Sequence, residues 1–416
     1  MRVLKTPVFN LCYRILMSSN RSTSIFGRTP YGMEDLKFVH QVLRSRKLSR
    51  TVGKMVLIFE KEFAHAYNAA YGVASTSGTS SVHVALGALD LNPGDEVITT
   101  PITDMGTIIP ILAQNAVPIF ADIDETYNIS PAAIESCISE RTKAIIAVHT
   151  FGNPCDMDGI MALSRRYKLP VVEDCSQAHM TMYKGRLLGS IGDMGCFSLH
   201  ESKHLTTGDG GMTITSQTAY HNIMRLFVDK GFDRETGAAS TSRYLFYAPN
   251  YRMPELTAAV GLAQLKKVSH VVRRRNHLGT MLSNLLSDID GVRPAPVTPG
   301  ATHSYWAYPL YLETIDVNTF VTELKGLGIP AAVHMSTPLY LSAKALSTGC
   351  VYGSSRCPFL CARPGIEYRK GDCPEAERLT EHLVALWLTE NWSEDQIGKT
   401  AASIQSTVRK LQDNHR

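Results

Sequence analysis

Lys203 sits in the stretch Cys196-Phe-Ser-Leu-His-Glu-Ser-Lys-His-Leu-Thr-Thr-Gly-Asp-Gly-Gly-Met212. Lysine is the side chain that condenses with an aldehyde to an imine, and a site that disfavours its charge makes the neutral amine available. Ser198, upstream of it, offers a hydroxyl to an anion, and the glycines at 208, 210 and 211 let the chain bend tightly around a bound group. Taken alone, the same lysine is equally a solvated loop residue.

Three other places hold groups that complement such a lysine. Ser77-Gly78-Thr79 places a glycine where a strand runs into a helix. The free backbone N–H groups of a helix start favour an anion there. Ser77 on its own reads as an ordinary N-cap. Asp174 follows the apolar run Leu169–Glu173. A carboxylate at a strand end can keep a pyridine nitrogen protonated, which makes the ring an electron sink. In isolation it is also a helix N-cap, with Gln177 as its capping-box partner. In the first role, Gln177 donates to a phenolic oxygen. Gly208-Asp-Gly-Gly has Thr213 where a dinucleotide loop needs glycine, and it falls between strands, so nicotinamide binding is rejected.

The elements that must position these groups alternate. Strands are expected at Glu96–Thr100, Val117–Ile123, Ala144–His149, Leu169–Glu173, Gly195–Leu199 and Gly211–Thr215. Helices are expected at Thr79–Asp90, at Thr107–Gln114 and after a cap at Asp156. Such alternation predicts an α/β fold with a mostly parallel sheet whose ligands lie beyond the strands' carboxyl ends. Ser77, Thr103, Asp174 and Lys203 all follow predicted strand ends. After the helical stretch Glu255–Asn284 the texture becomes that of a smaller α+β unit. The expected division is a leader at 1–27, a large domain at 28–275 and a small C-terminal domain at 276–416.

Composition narrows the classes of function. The chain has 416 residues, 44% hydrophobic and 19% charged, with a formal net charge of +4, which is ordinary for a globular protein and offers no basic stripe for nucleic acid. No apolar run reaches the ~18 residues of a membrane span. Nine cysteines, scattered and without Cys-x-x-Cys spacing, read as reduced structural thiols, which suits a cytoplasmic protein. No metal is expected. His149, His179, His200 and His334 lack ligand spacing and read as hydrogen-bonded histidines. Before Glu34 there is no acidic residue, whereas Arg2, Lys5, Arg14, Arg21 and Arg28 are basic and serines cluster. That pattern suits an organelle transit peptide, and equally a disordered leader or a start codon set too early, with Met17 as the alternative start.

Glu173-Asp174-Cys-Ser-Gln177, Phe197-Ser198-Leu-His200-Glu-Ser-Lys203 and Thr207-Gly208-Asp-Gly-Gly211 resemble the DegT/DnrJ/StrS sugar aminotransferases. Phe59-Glu60, Ser77-Gly78-Thr79, Val148-His149-x-x-Gly152 and Asn250-Tyr251-Arg252-Met253 extend the resemblance, which spans about residues 30–400. It implies the aspartate-aminotransferase fold (fold type I of the pyridoxal-phosphate enzymes) and pyridoxal 5'-phosphate as cofactor. The implied activity is transfer of an amino group to a keto-sugar, nucleotide-linked or related, with glutamate or glutamine as the nitrogen donor. It further implies that Lys203 is the Schiff-base lysine and proton carrier, that Asp174 pairs with the pyridinium, and that Gln177 meets the ring oxygen. Gly78, Thr79 and Ser198 hold the phosphate, and Asn250 reaches the phosphate of a neighbouring subunit, which makes the protein a homodimer with shared sites. His334 and Arg252 are candidate substrate contacts. Asp104 departs from the family, which usually places an aromatic residue there to stack on the cofactor; Met105 offers soft contact instead. Two alternatives stand beside the aminotransferase: a sugar dehydratase, whose relatives carry His in place of Lys203, and a non-catalytic cofactor-binding regulator.

Overall fold

A computed structural model describes residues 31–234 and 243–413. The expected leader, residues 1–27, lies outside them. Strands β1 (Tyr71–Ser75), β2 (Glu96–Thr99), β3 (Val117–Phe120), β4 (Thr142–Val148) and β5 (Val171–Asp174) are followed by a ribbon, β6 (Met182–Tyr183) and β7 (Arg186–Leu187). Then come β8 (Met194–Ser198) and β9 (Gly211–Thr215). The main sheet runs β1-β9-β8-β5-β4-β2-β3. Only β9 opposes its neighbours, β1 and β8; the other neighbouring pairs are parallel. Helices cover both faces, so β3, β5, β8 and β9 are buried along their whole length.

The helix Glu255–Leu286 is 32 residues long and serves two cores. Ala258, Leu262, Val268 and Val272 pack with Phe59, Phe63 and Met212. Leu278, Leu282 and Leu286 pack with Tyr308, Phe320 and Leu411 around a second sheet. That sheet orders β10 (Val292–Arg293), β11 (Tyr308–Leu312), β13 (Leu383–Leu386) and β12 (Ala331–Val333), all antiparallel. Arg275, where the helix passes from one core to the other, is itself buried and paired with Glu390 at 2.9 Å. Among the described residues no helix is long and apolar enough to cross a membrane, and every cysteine there is a free thiol.

The expected fold class holds, with local shifts. The helix expected at Thr107–Gln114 begins earlier, at Met105, because Asp104 Oδ1 accepts the Gly106 N–H at 2.7 Å and caps it. Asp156 caps its helix as expected, accepting from Gly159 N–H at 3.2 Å. No helix follows Asp174, which corrects the N-cap reading of that residue.

Candidate active site

The parallel strands end at one edge, and the candidate groups collect there. Ser75 ends β1, Val148 ends β4, Asp174 ends β5 and Ser198 ends β8. Because β9 runs back from Gly211 opposite Ser198, residues 199–210 form a closed turn at that same edge. Lys203 stands at its crest. Leu199 N–H donates to Gly210 O at 2.8 Å and Thr207 N–H to Leu199 O at 2.9 Å, which fastens the base of the turn. Leu199 and Leu205 anchor it in the core.

A cavity of about 410 Å³ opens over the strand ends, lined by Gly78, Thr79, Asp174, Gln177, Ser198, Lys203 and His334. Seven of the nine residues singled out from sequence thus share one crevice. Gly78 begins the helix Gly78–Leu86, capped by Ser77 Oγ, which accepts the Ser80 N–H at 3.0 Å. A Cβ on Gly78 would come within 2.6 Å of Ser198 Cβ, so the glycine is what lets the helix start and the end of β8 close into one cradle. Ser77 is thus the ordinary N-cap, and the helix start that it caps faces the crevice.

Asp174 is 5% exposed. Its Oδ2 accepts from Thr107 Oγ1 at 2.8 Å, and its Oδ1 from Ser176 N–H at 3.1 Å. With its proton given to Asp174, Thr107 accepts in turn from Thr103 Oγ1 at 2.7 Å. Gln177 Oε1 accepts the Phe151 N–H at 2.6 Å, which leaves its amide N–H groups as the donors. Lys203 Nζ lies 4.1 Å from the centre of the Trp306 ring. Burial pushes the lysine down to about 8, against the opposing pull of Asp174 and Asp104. His334 meets the rings of Phe151, Trp306 and Trp387. Burial lowers it too, and its Nε2 is buried without a hydrogen-bond partner.

Some expectations are redirected. Asp104 lines the cavity as a helix cap, while Met105 packs against the core instead of facing the cavity. His204, next to Lys203, turns its Nε2 to Ser304 O at 3.0 Å and does not line the crevice. Asn250 and Arg252 lie elsewhere in this chain. Arg252 pairs with Asp229 beside Arg234, in a cleft also lined by Arg50 and Arg225. Asn250 is exposed and bridges to Asp229. His149, buried as expected, is fully bonded: its Nδ1 accepts from Cys155 N–H at 3.1 Å, so Nε2 carries the proton toward Glu173 Oε2 at 3.2 Å. Two functional-looking residues escaped the sequence reading. Thr107 could have been found as a hydroxyl one helical turn beyond Thr103, just past β2. Trp306 carries no local signal.

A parallel sheet ending in a buried lysine, a carboxylate and a helix-start cradle defines an α/β enzyme of the aspartate-aminotransferase type. The chain belongs to the DegT/DnrJ/EryC1/StrS aminotransferase family, whose sequence profile matches residues 31–405. It is 32% identical to the spore coat polysaccharide biosynthesis protein SpsC of Bacillus subtilis, over 91% of this chain and 95% of that one. It is also 32% identical to a UDP-N-acetyl-3-dehydro-alpha-D-glucosamine 3-aminotransferase of Acidithiobacillus ferrooxidans, over 86% and 89%. The aminotransferase structure from Psychrobacter cryohalolentis superposes with a TM-score of 0.81 at 30% identity, covering 93% of this chain and 99% of that one. Aminotransferases of this family depend on pyridoxal phosphate.

Proposed function

We propose that this chain is a pyridoxal-phosphate aminotransferase that delivers nitrogen to the keto group of a sugar, nucleotide-linked or a close analogue, with glutamate or glutamine as donor. The observation that carries the reading is the meeting of Lys203, Asp174 and the Gly78–Ser198 cradle in one crevice of about 410 Å³. The sugar substrates named for similar proteins support the substrate class.

The residues fit the cofactor. The Gly78–Ser198 contact leaves room for no side chain at position 78, and the helix start, which lines the crevice, supplies N–H groups of Gly78 and Thr79 to hold a phosphate. When bound, the cofactor withdraws electrons from the carbon that carries the nitrogen. Asp174, oriented by Thr107, holds a proton on the pyridine nitrogen. Gln177 presents its amide N–H groups to the ring oxygen. Lys203 is the amine that binds the aldehyde and, once released, the base that takes and returns the proton; a depressed pKa keeps it competent near neutral pH. His334 faces substrate. Asn250 and Arg252, away from this chain's own crevice, act on the crevice of a second copy, making the protein a homodimer with shared sites. We further propose a division into a large domain at 28–275 and a small domain at 276–416, meeting inside the long helix near the Arg275–Glu390 pair, and a cytoplasmic location.

The test is a half-reaction. Protein loaded with cofactor should lose its visible aldehyde band on addition of glutamate or glutamine, and then convert a panel of nucleotide-linked ketosugars to amino sugars detected by mass spectrometry. A band unmoved by either donor sinks the proposal.

A further inference from the structure

Trp306 meets the lysine turn at two points. Its indole Nε1–H donates to Ser202 O at 2.9 Å, and its ring face lies over Lys203 Nζ at 4.1 Å. The indole is 7% exposed and is held from several sides. Trp387 packs edge-on at 5.1 Å, and His334 lies 5.9 Å away. Its backbone N–H donates to Phe151 O at 2.9 Å. The preceding residue, Tyr305, has φ of 49°, and Phe151 has φ of 59°. Bulky side chains rarely occupy this left-handed region, and they stay there only where the surroundings over-determine them. Tyr305 is so determined: it is 1% exposed and stacks on His303 at 3.9 Å. His204 Nε2 adds a third tie, to Ser304 O. The segment Ser304–Trp306 therefore clasps the turn around Lys203.

We infer that Trp306 is the positioning residue of Lys203, fixing the crest of its turn through the Ser202 carbonyl and confining the amine against the indole face so that water does not reach it. The inference rests on the reading of Lys203 given above. Two forces from one ring oppose each other. The ring face attracts an ammonium, which raises the lysine's pKa. Its bulk excludes water, which lowers it. Burial is the leading cause that brings Lys203 down to about 8, and the indole face at 4.1 Å is one of the surfaces that bury it. The other groups around the amine do not supply that depression through charge. Asp174 and Asp104 pull it upward. Burial brings His179 to about 4 and lowers His204 and His334, so these imidazoles are neutral throughout the window in which the lysine titrates.

The experiment is competitive acetylation of the cofactor-free full chain with trace acetic anhydride across a pH series, with the Lys203 peptide quantified by mass spectrometry. Only neutral amine reacts, so the midpoint of the profile is the lysine's own. Wild type should show a midpoint near about 8. In Trp306→Ala, with the amine hydrated, the midpoint should rise by one unit or more toward the ordinary 10.5, a loss of reactivity of about fivefold or more at the wild-type midpoint. Trp306→Phe keeps a ring face and should keep most of the depression. Should Trp306→Ala not fold, Trp306→His, smaller and hydrated, takes its place. An unmoved midpoint in the Ala or His variant, with a wild-type circular dichroism spectrum, overturns the inference. An equal rise in Phe overturns the part given to the ring face. Borohydride reduction of cofactor-loaded wild type, with peptide mapping, separates the two claims. A label away from Lys203 overturns the proposed function. A label on Lys203 with an unmoved midpoint overturns only the role of Trp306.

Discussion

Glu173 and Asp174 are neighbours on β5 and carry the same functional group, yet they live in opposite surroundings. Successive side chains on a strand point to opposite faces, so one carboxylate enters the fold and the other the crevice. Glu173 is saturated. Its Oε1 accepts N–H groups of Ile191 at 2.8 Å and Gly192 at 2.6 Å, and its Oε2 accepts Gly189 N–H at 2.9 Å and faces His149 Nε2. Asp174 accepts from one hydroxyl and one backbone N–H and retains lone pairs toward the cavity. The lesson concerns satisfaction. A buried carboxylate whose partners are complete holds structure together, and one left short of partners beside a cavity waits for a ligand. Cys175, next along, is buried in the core, and that burial holds its thiol well above the ordinary range.

That contrast can be broken by substitution. Lys203→Ala should show the largest change, abolishing amino transfer while the urea midpoint stays within error; retained turnover would remove the lysine from the chemistry. Asp174→Asn should cut turnover by on the order of 100-fold with little loss of stability, because an amide supports a cationic ring nitrogen poorly. Glu173→Ala should do the reverse. Leaving three backbone donors and His149 without their acceptor should cost roughly 3–5 kcal/mol, read from urea denaturation, and a stability equal to wild type would refute the structural role. Thr107→Val should have the smallest effect, a roughly tenfold drop in kcat from the loss of one charge-assisted hydrogen bond worth about 1.5 kcal/mol. If Thr107→Val matched wild type in kcat, Asp174 would need no help in holding its orientation.

Much of this was legible before any fold was built. The alternation of short apolar runs with helical periods predicted the parallel sheet, and glycine at 78 and lysine at 203 marked the crevice. Where the reading slipped, contacts outside the periodic pattern decided, some local and some distant. The strand expected at Ala144–His149 is found at Thr142–Val148, with His149 flanking the short turn Thr150–Gly152 that follows. Asp104 looked like a missing stacking ring and proved to be a helix cap, a local role that competes for the same position. Trp306 was invisible for a plain reason. It meets Ser202 across a separation of 104 residues, and neither period nor composition reports such a pairing.

The turn bearing Lys203 is tied down at both ends, by β8 on one side and β9 on the other. An arm mounted on so firm a post can swing from its own rotatable bonds without carrying the scaffold with it. Each round of bond-making and release would then start from the same place, and the register of the reacting atoms would be restored by the mount and not by a search.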